Sequence, residues 1–188
     1  MRRLVAVGTA AALTVLVAIP TFAAAGTPAA KRGGWIACRE HPILHISPPL
    51  TLDASHPATF RVSDVLESCS SSDRTIDRGI ASITGTSPNA SCQSGDVNNG
   101  VARIRWNNGR TSRVRFEASF AGGFARARGR VVGGSAFVGR RFVALDHLNV
   151  DAVALQLCNT PSIGLSTLAS DGVIAIGAPP SAGVVWTP

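Results

Sequence analysis

Between Val101 and Phe116 apolar and charged residues alternate almost without exception, and that alternation commits the stretch to β structure. Ala102, Ile104 and Trp106 take one parity and Arg103 and Arg105 the other; beyond Asn107-Asn108-Gly109, Val114 and Phe116 alternate with Arg113 and Arg115. A period of two with one apolar face marks a half-buried strand, and Asn-Gly is a strong hairpin turn signal. Parity also sets the register. Opposite residues in an antiparallel pair share a face, so the four arginines gather only if Arg103 meets Arg113 and Trp106 meets Arg110. That pairing needs a three-residue loop, a type I turn with Gly109 left-handed and a bulge beside it. A two-residue loop would set Ile104 against Arg113.

A third run follows the turn at Ala121-Gly122-Gly123, where Arg126, Arg128 and Arg130 alternate with Ala125, Ala127 and Gly129. With the small residues inward, three neighbouring strands place Arg103, Arg105, Arg113, Arg115, Arg126, Arg128 and Arg130 on one outer surface. Like charges directly opposite destabilise by up to about 1 kcal/mol per pair, so water and salt, acids elsewhere in the chain, or an anionic partner must offset the repulsion. Residues 101–141 hold ten arginines and one acid, Glu117, for a charge of +9. The whole chain carries +7; without Arg2 and Arg3 it carries +5, so the remainder sums to −4. This dipolar distribution weakens the nucleic-acid reading that a pI near 10.9 invites. It also nominates Asp64, Glu67, Asp73, Asp77, Asp146 and Asp151 as screens for the arginines within the fold.

The N-terminus reads as a secretory signal peptide over residues 1–25. Arg2 and Arg3 precede an apolar stretch from Leu4 to Ile19, followed by Pro20 and the small residues Ala23-Ala24-Ala25. The apolar stretch falls short of the roughly 20 residues of a membrane span and a cleavage-like Ala run follows it, so cleavage is expected over an uncleaved membrane anchor, with no transmembrane span after it. A small polar leader (26–34), one β-domain (35–178) and a tail (179–188) follow. Cys38, Cys69, Cys92 and Cys158 in an exported chain imply two disulfides. Four cysteines allow three pairings, and loop length favours Cys38–Cys69 with Cys92–Cys158.

Strand signals recur along the domain. Leu44 and Ile46 alternate with His45 and Ser47 before Pro48-Pro49, as in an edge strand or bulge. Phe60 and Val62 alternate with Arg61 and Ser63. Ser68 to Arg78 reads as a polar loop, Gly79 to Thr86 as a strand, and Ser87 to Gly100 as a loop. Phe142 to Leu157 divides into two strands about a turn near Asn149 to Asp151, and Gly172 marks a bulge or turn in the closing strand, Gly164 to Ile176. The expected fold is a single antiparallel β-sandwich or barrel of about 8–10 strands.

Catalytic and metal patterns find little support. No G-x-S-x-G elbow accompanies the four histidines, His41, His45, His56 and His147. Asp146 and His147 are neighbours that a strand would point to opposite faces. His41 and His45 lie about 13 Å apart if extended, too far for one metal, and Pro42 opposes a helix. Asp73 and Asp77 lack calcium-loop spacing, and nothing sets the distance between Asp64 and Glu67 that a glycosidase pair needs. With no Tyr and three Trp, and Trp106 on the apolar face, base or sugar stacking is disfavoured.

The cysteine positions, Pro49-Leu50-Thr51, Cys69-Ser70-Ser71, Ser91-Cys92 and the run Trp106 to Ser112 resemble a group of small secreted four-cysteine β-proteins of actinobacteria. The resemblance covers most of the mature chain and implies fold and export. The expectation is therefore an exported, non-enzymatic β-domain, extracellular or wall-associated, needing no cofactor or metal. Its arginine face would bind an anionic envelope polymer or lipid headgroups. The competing expectations are a secreted hydrolase with an unrecognised site, and a barrel enclosing a small ligand in an apolar cavity.

Overall fold

The computed structural model describes residues 34–177; the stretch read as a signal peptide, most of the leader and the whole of the tail lie outside them. Nine strands run in order: β1 (Ile36–Glu40), β2 (Ile43–Leu50), β3 (His56–Ser71), β4 (Gly79–Ala90), β5 (Ser94–Trp106), β6 (Thr111–Ala121), β7 (Phe124–Gly134), β8 (Arg141–Leu148) and β9 (Leu165–Ile176). A short helix, α1 (Ala152–Cys158), precedes β9. All pairings are antiparallel, and β3 bonds to β4 while β1 and β2 bond to both β3 and β9. The sheet therefore closes into a barrel, which leaves no strand edge open to another chain. β1 and the first part of β2, as far as His45, hold one register against β9 and act as a single stave, interrupted at His41-Pro42.

Alternation decides which side chains fill the interior. At one end Trp106, Ile36, Leu66, Ile76, Val114 and Ile176 are fully enclosed. The Trp106 indole meets Phe137 edge to face at 5.8 Å, and its Nε1–H donates to Ser112 Oγ at 3.0 Å, so the ring is buried without an orphaned donor. At the other end α1 packs Ala154 and Cys158 against Leu148, Leu165 and Leu168. Disulfides join Cys38 to Cys69 and Cys92 to Cys158.

The central hairpin has the register that parity requires. Arg103 pairs with Arg113 and Ile104 with Ser112. Trp106 N–H donates to Arg110 O, Gly109 N–H to Trp106 O, and Gly109 has φ +80°. A Cβ there would meet nothing, so Gly109→Ala should lose only the backbone cost of a left-handed residue, about 1–2 kcal/mol. An unchanged urea midpoint would contradict this account of the turn.

Several expectations need correction. Ser87 to Gly100 is not a loop: β4 and β5 run nearly through it, joined at residues 91–93, with irregular pairing near Thr86 and Asn98 carrying the curvature. The polar loop after β3 begins only at residue 72, since pairing continues to Ser71. Of the two readings of Pro48-Pro49, the edge strand falls and the bulge stands: the pair lies in a barrel stave at an irregularity against β9. Gly172 is regular mid-strand, opposite both Glu40 and Asp146. The second half of Phe142 to Leu157 is helix α1, because Asp151 caps it by accepting from the Ala154 N–H at 2.8 Å. The alternating Val153 and Leu155 are exposed, whereas Ala154 and Cys158, one helical turn apart, are buried.

Candidate functional site

The barrel wall carries one charged assembly on each side. Outside, Arg103, Arg105, Arg113, Arg115, Arg126, Arg128 and Arg130 are all exposed on β5, β6 and β7. Pairing arranges them in rows: Arg103 opposite Arg113, and Arg115 opposite Arg130, which is itself opposite Arg141 of β8. With strands about 4.8 Å apart, a three-strand row spans about 10 Å. A depression between β6, β7 and β8 is bordered by Arg115, Arg128, Arg130 and Arg141. Within it Glu117 lies 3.9 Å from Arg128, both well exposed, so that pair contributes little.

The acids nominated as screens do not gather here. Asp64 is buried within the barrel and Asp146 turns inward beside it, Asp151 caps α1, and Glu67 and Asp77 are exposed without an ion pair among the described residues. Asp73 alone meets an arginine of the stretch, accepting from Arg110 Nη1 at 2.8 Å. Arg110 also donates through Nε to Ser135 O at 3.0 Å, so it braces two loops and does not extend the outer face. Repulsion within the rows is therefore met mainly by solvent.

Inside, three carboxyl groups converge. Each occupies an inward position of its strand: Glu40 after Ile36 and Cys38, Asp64 between Phe60 and Leu66, Asp146 between Phe142 and Leu148. Glu40 and Asp146 flank β9 in one row, both opposite Gly172. A Cβ at 172 would lie 2.9 Å from Asp146 Cγ and 2.6 Å from Leu145 O. Glycine is what lets the Asp146 side chain lie across β9 towards Glu40. Ser170, one inward step along β9, completes the cluster and is 2% exposed.

Burial dominates the electrostatics, since desolvation disfavours a charged carboxylate. It pushes Glu40 up to about 10, with the negative charges of Asp146 and Asp64 adding to the effect. Asp146 rises to about 6 through burial, against the lowering influence of the Glu40 carboxyl, with the Asp64 charge raising it further. Asp64 is also raised by burial, opposed by Glu40 and the backbone N–H groups of His41 and Val65. At neutral pH Glu40 is thus neutral while Asp146 is ionised.

The histidines stand apart from this cluster. His41, His45 and His147 are exposed, His41 pairs with Asp171 outside the barrel, and half-buried His56 contacts the carbonyls of Pro49 and Pro57. Asp146 and His147 do point to opposite faces. Among the described residues no group of three or more His, Cys, Asp or Glu side chains is arranged to hold a metal ion, and no helix is long and apolar enough to cross a membrane. A barrel with arginines outside and apolar residues inside also inverts the pattern of a transmembrane β-barrel.

Sequence reasoning placed the arginines on one outer surface but missed Glu40, and it weighed Asp64 and Asp146 as screens for the arginines or as weakly supported catalytic partners of Glu67 and His147. The signal lay in parity, because all three acids fall in register with the apolar residues of their strands. The chain matches no known family, no curated protein and no solved structure with which it was compared, so its functional reading rests on its own geometry.

Proposed function

We propose that the protein is an exported, non-enzymatic β-barrel domain that binds an anionic polymer of the cell envelope through the outer arginines of β5, β6 and β7. The observation that carries this reading is the directly opposed row Arg115, Arg130 and Arg141, lying beside the Arg103–Arg113 pair, with Glu117 the one acid that borders the same depression. A polymer with regularly spaced phosphate or carboxylate groups meets several rows at once, and guanidinium groups engage such anions in bidentate fashion. Repulsion among the free arginines then becomes part of the driving force for binding.

Retention on isolated cell walls and on an immobilised polyanion, measured from low to high salt, tests the reading. Binding of this kind weakens as the screening length shrinks. Arg103→Glu with Arg113→Glu should weaken it by about tenfold or more, given about 1 kcal/mol per basic residue near an anionic surface. Salt-insensitive retention, or unchanged retention by the doubly reversed protein, would remove the support. Retention on anionic vesicles but not on walls would move the partner from polymer to lipid headgroup.

A further inference from the structure

The barrel interior holds a partly open cavity of about 150 Å³. Its sides are apolar, with Leu44, Phe60, Phe116 and Phe142 among them; Gln93, Ser119 and Arg126 line it too, and Glu40, Asp146 and Ser170 supply polar lining. These three come from β1, β8 and β9, which lie side by side, so their side chains converge across Gly172. Glu40 Oε1, Asp146 Oδ1 and Ser170 Oγ are buried, and none has a hydrogen-bond partner in the protein. Buried polar atoms are ordinarily paired, and an orphan requires an explanation. Asp64, whose carboxylate oxygens are also unpartnered, lies outside the cavity lining, whereas Glu40, Asp146 and Ser170 all line it.

The chemistry of the missing partner follows from what is present. The buried polar residues of the described chain are Glu40, Asp64, Ser87, Ser112 and Ser170. That set contains no basic side chain; its donors are hydroxyls and the Glu40 carboxyl proton, so a positive charge to offset the ionised Asp146 would have to come from a ligand. An ammonium group carries three N–H donors and no acceptor, matching three converging acceptor atoms. Asp146 is ionised at neutral pH and supplies the counter-charge. A cavity of about 150 Å³ accommodates a molecule the size of benzene, which leaves room for an apolar body of about four to seven carbon atoms. The assembly is also a poor structural device, since a purely apolar filling of similar volume is often the more stable one.

We propose that the barrel binds a small primary amine with an apolar body, its ammonium donating to Glu40, Asp146 and Ser170 and its hydrocarbon lying against Phe60, Phe116 and Phe142. Of the outer arginine face only Arg126 also lines the cavity, and it takes no part in the proposed contacts, so either reading can fail without the other.

Isothermal titration calorimetry on the mature, disulfide-bonded protein at pH 7.5 tests it with n-butylamine and benzylamine, each against its alcohol isostere, 1-butanol and benzyl alcohol. One amine or both should bind at a single site, about tenfold or more tighter than the matching alcohol, as a charge-assisted hydrogen bond requires. Asp146→Asn should abolish that preference while leaving alcohol affinity within about twofold. Equal affinity for amine and alcohol would overturn the proposal, as would full amine affinity in a folded Asp146→Asn protein or no saturable binding of either amine.

Discussion

Glu40→Gln is expected to raise the thermal unfolding midpoint at pH 8 and to remove most of the dependence of stability on pH between about 5 and 9. In the folded barrel Glu40 keeps its proton up to about pH 10, whereas the unfolded chain releases it near the ordinary value of 4.5. Within that window folding takes up a proton. Stability contributed by the neutral carboxyl is thus fully present below about pH 4.5 and declines as pH rises towards 10. The limiting slope is about 1.4 kcal/mol per pH unit for one proton. From pH 5 to 8 the native protein should lose about 2–4 kcal/mol, allowing for relaxation around the cluster, or about 5–10 °C for a domain of this size. The glutamine amide is neutral at every pH, so the variant escapes this loss, and its remaining dependence moves below about pH 6, where Asp146 titrates. Circular dichroism melts of both proteins at pH 5, 6.5 and 8 decide the matter. Parallel slopes would mean that Glu40 is ionised in the fold.

The two disulfides should differ in what they contribute. Cys92→Ser with Cys158→Ser is expected to cost about 4 kcal/mol, and Cys38→Ser with Cys69→Ser less. Loop entropy gives the first a modest advantage, because it closes 66 residues against 31. The structural context widens the gap. Cys38 and Cys69 sit on β1 and β3, which backbone pairing already holds together. Cys158 instead ends a helix of seven residues, too short to persist alone, and its partner in the β4–β5 turn anchors that helix over the barrel end. Hydrogen exchange should therefore show early loss of protection over Ala152–Cys158 in the first variant, with the β5–β7 amides still protected. Equal destabilisation by the two pairs would contradict this ranking.

These expectations depend on features that were unequally legible in the sequence. The central hairpin was readable down to its register, because Arg103, Arg105, Arg113 and Arg115 tolerate only one inside–outside assignment once Trp106 is placed inward. Loop length favoured the cysteine pairing that occurs. The helix was hidden because Val153, Leu155 and Leu157 imitate a strand, while the residues it buries include an alanine and a cysteine, which carry little weight in a hydrophobic pattern. The stretch from Ser87 to Gly100 was misread for the opposite reason. Its outward positions are Asn, Ser and Asp, which mark turns when counted by composition but are ordinary solvent-facing residues of a curved strand. The interior cluster was harder still. Glu40, Asp64 and Asp146 each keep strand parity, yet acids at apolar positions are commonly taken as breaks in a pattern. Only the closure of the barrel brings β1, β3 and β8 close enough for the three to meet.

The stave formed by β1 and β2 lies between β3 and β9, so Ile36 has Ile176 as its partner. The earliest described strand cannot be enclosed until the latest one arrives. Long-range pairings of this kind form slowly, and no cylinder can close on a chain still lacking residue 176. A polypeptide threaded through an export channel from its N-terminus would stay open throughout its passage. It would shut only on the far side, where an oxidising compartment lets its cysteines join.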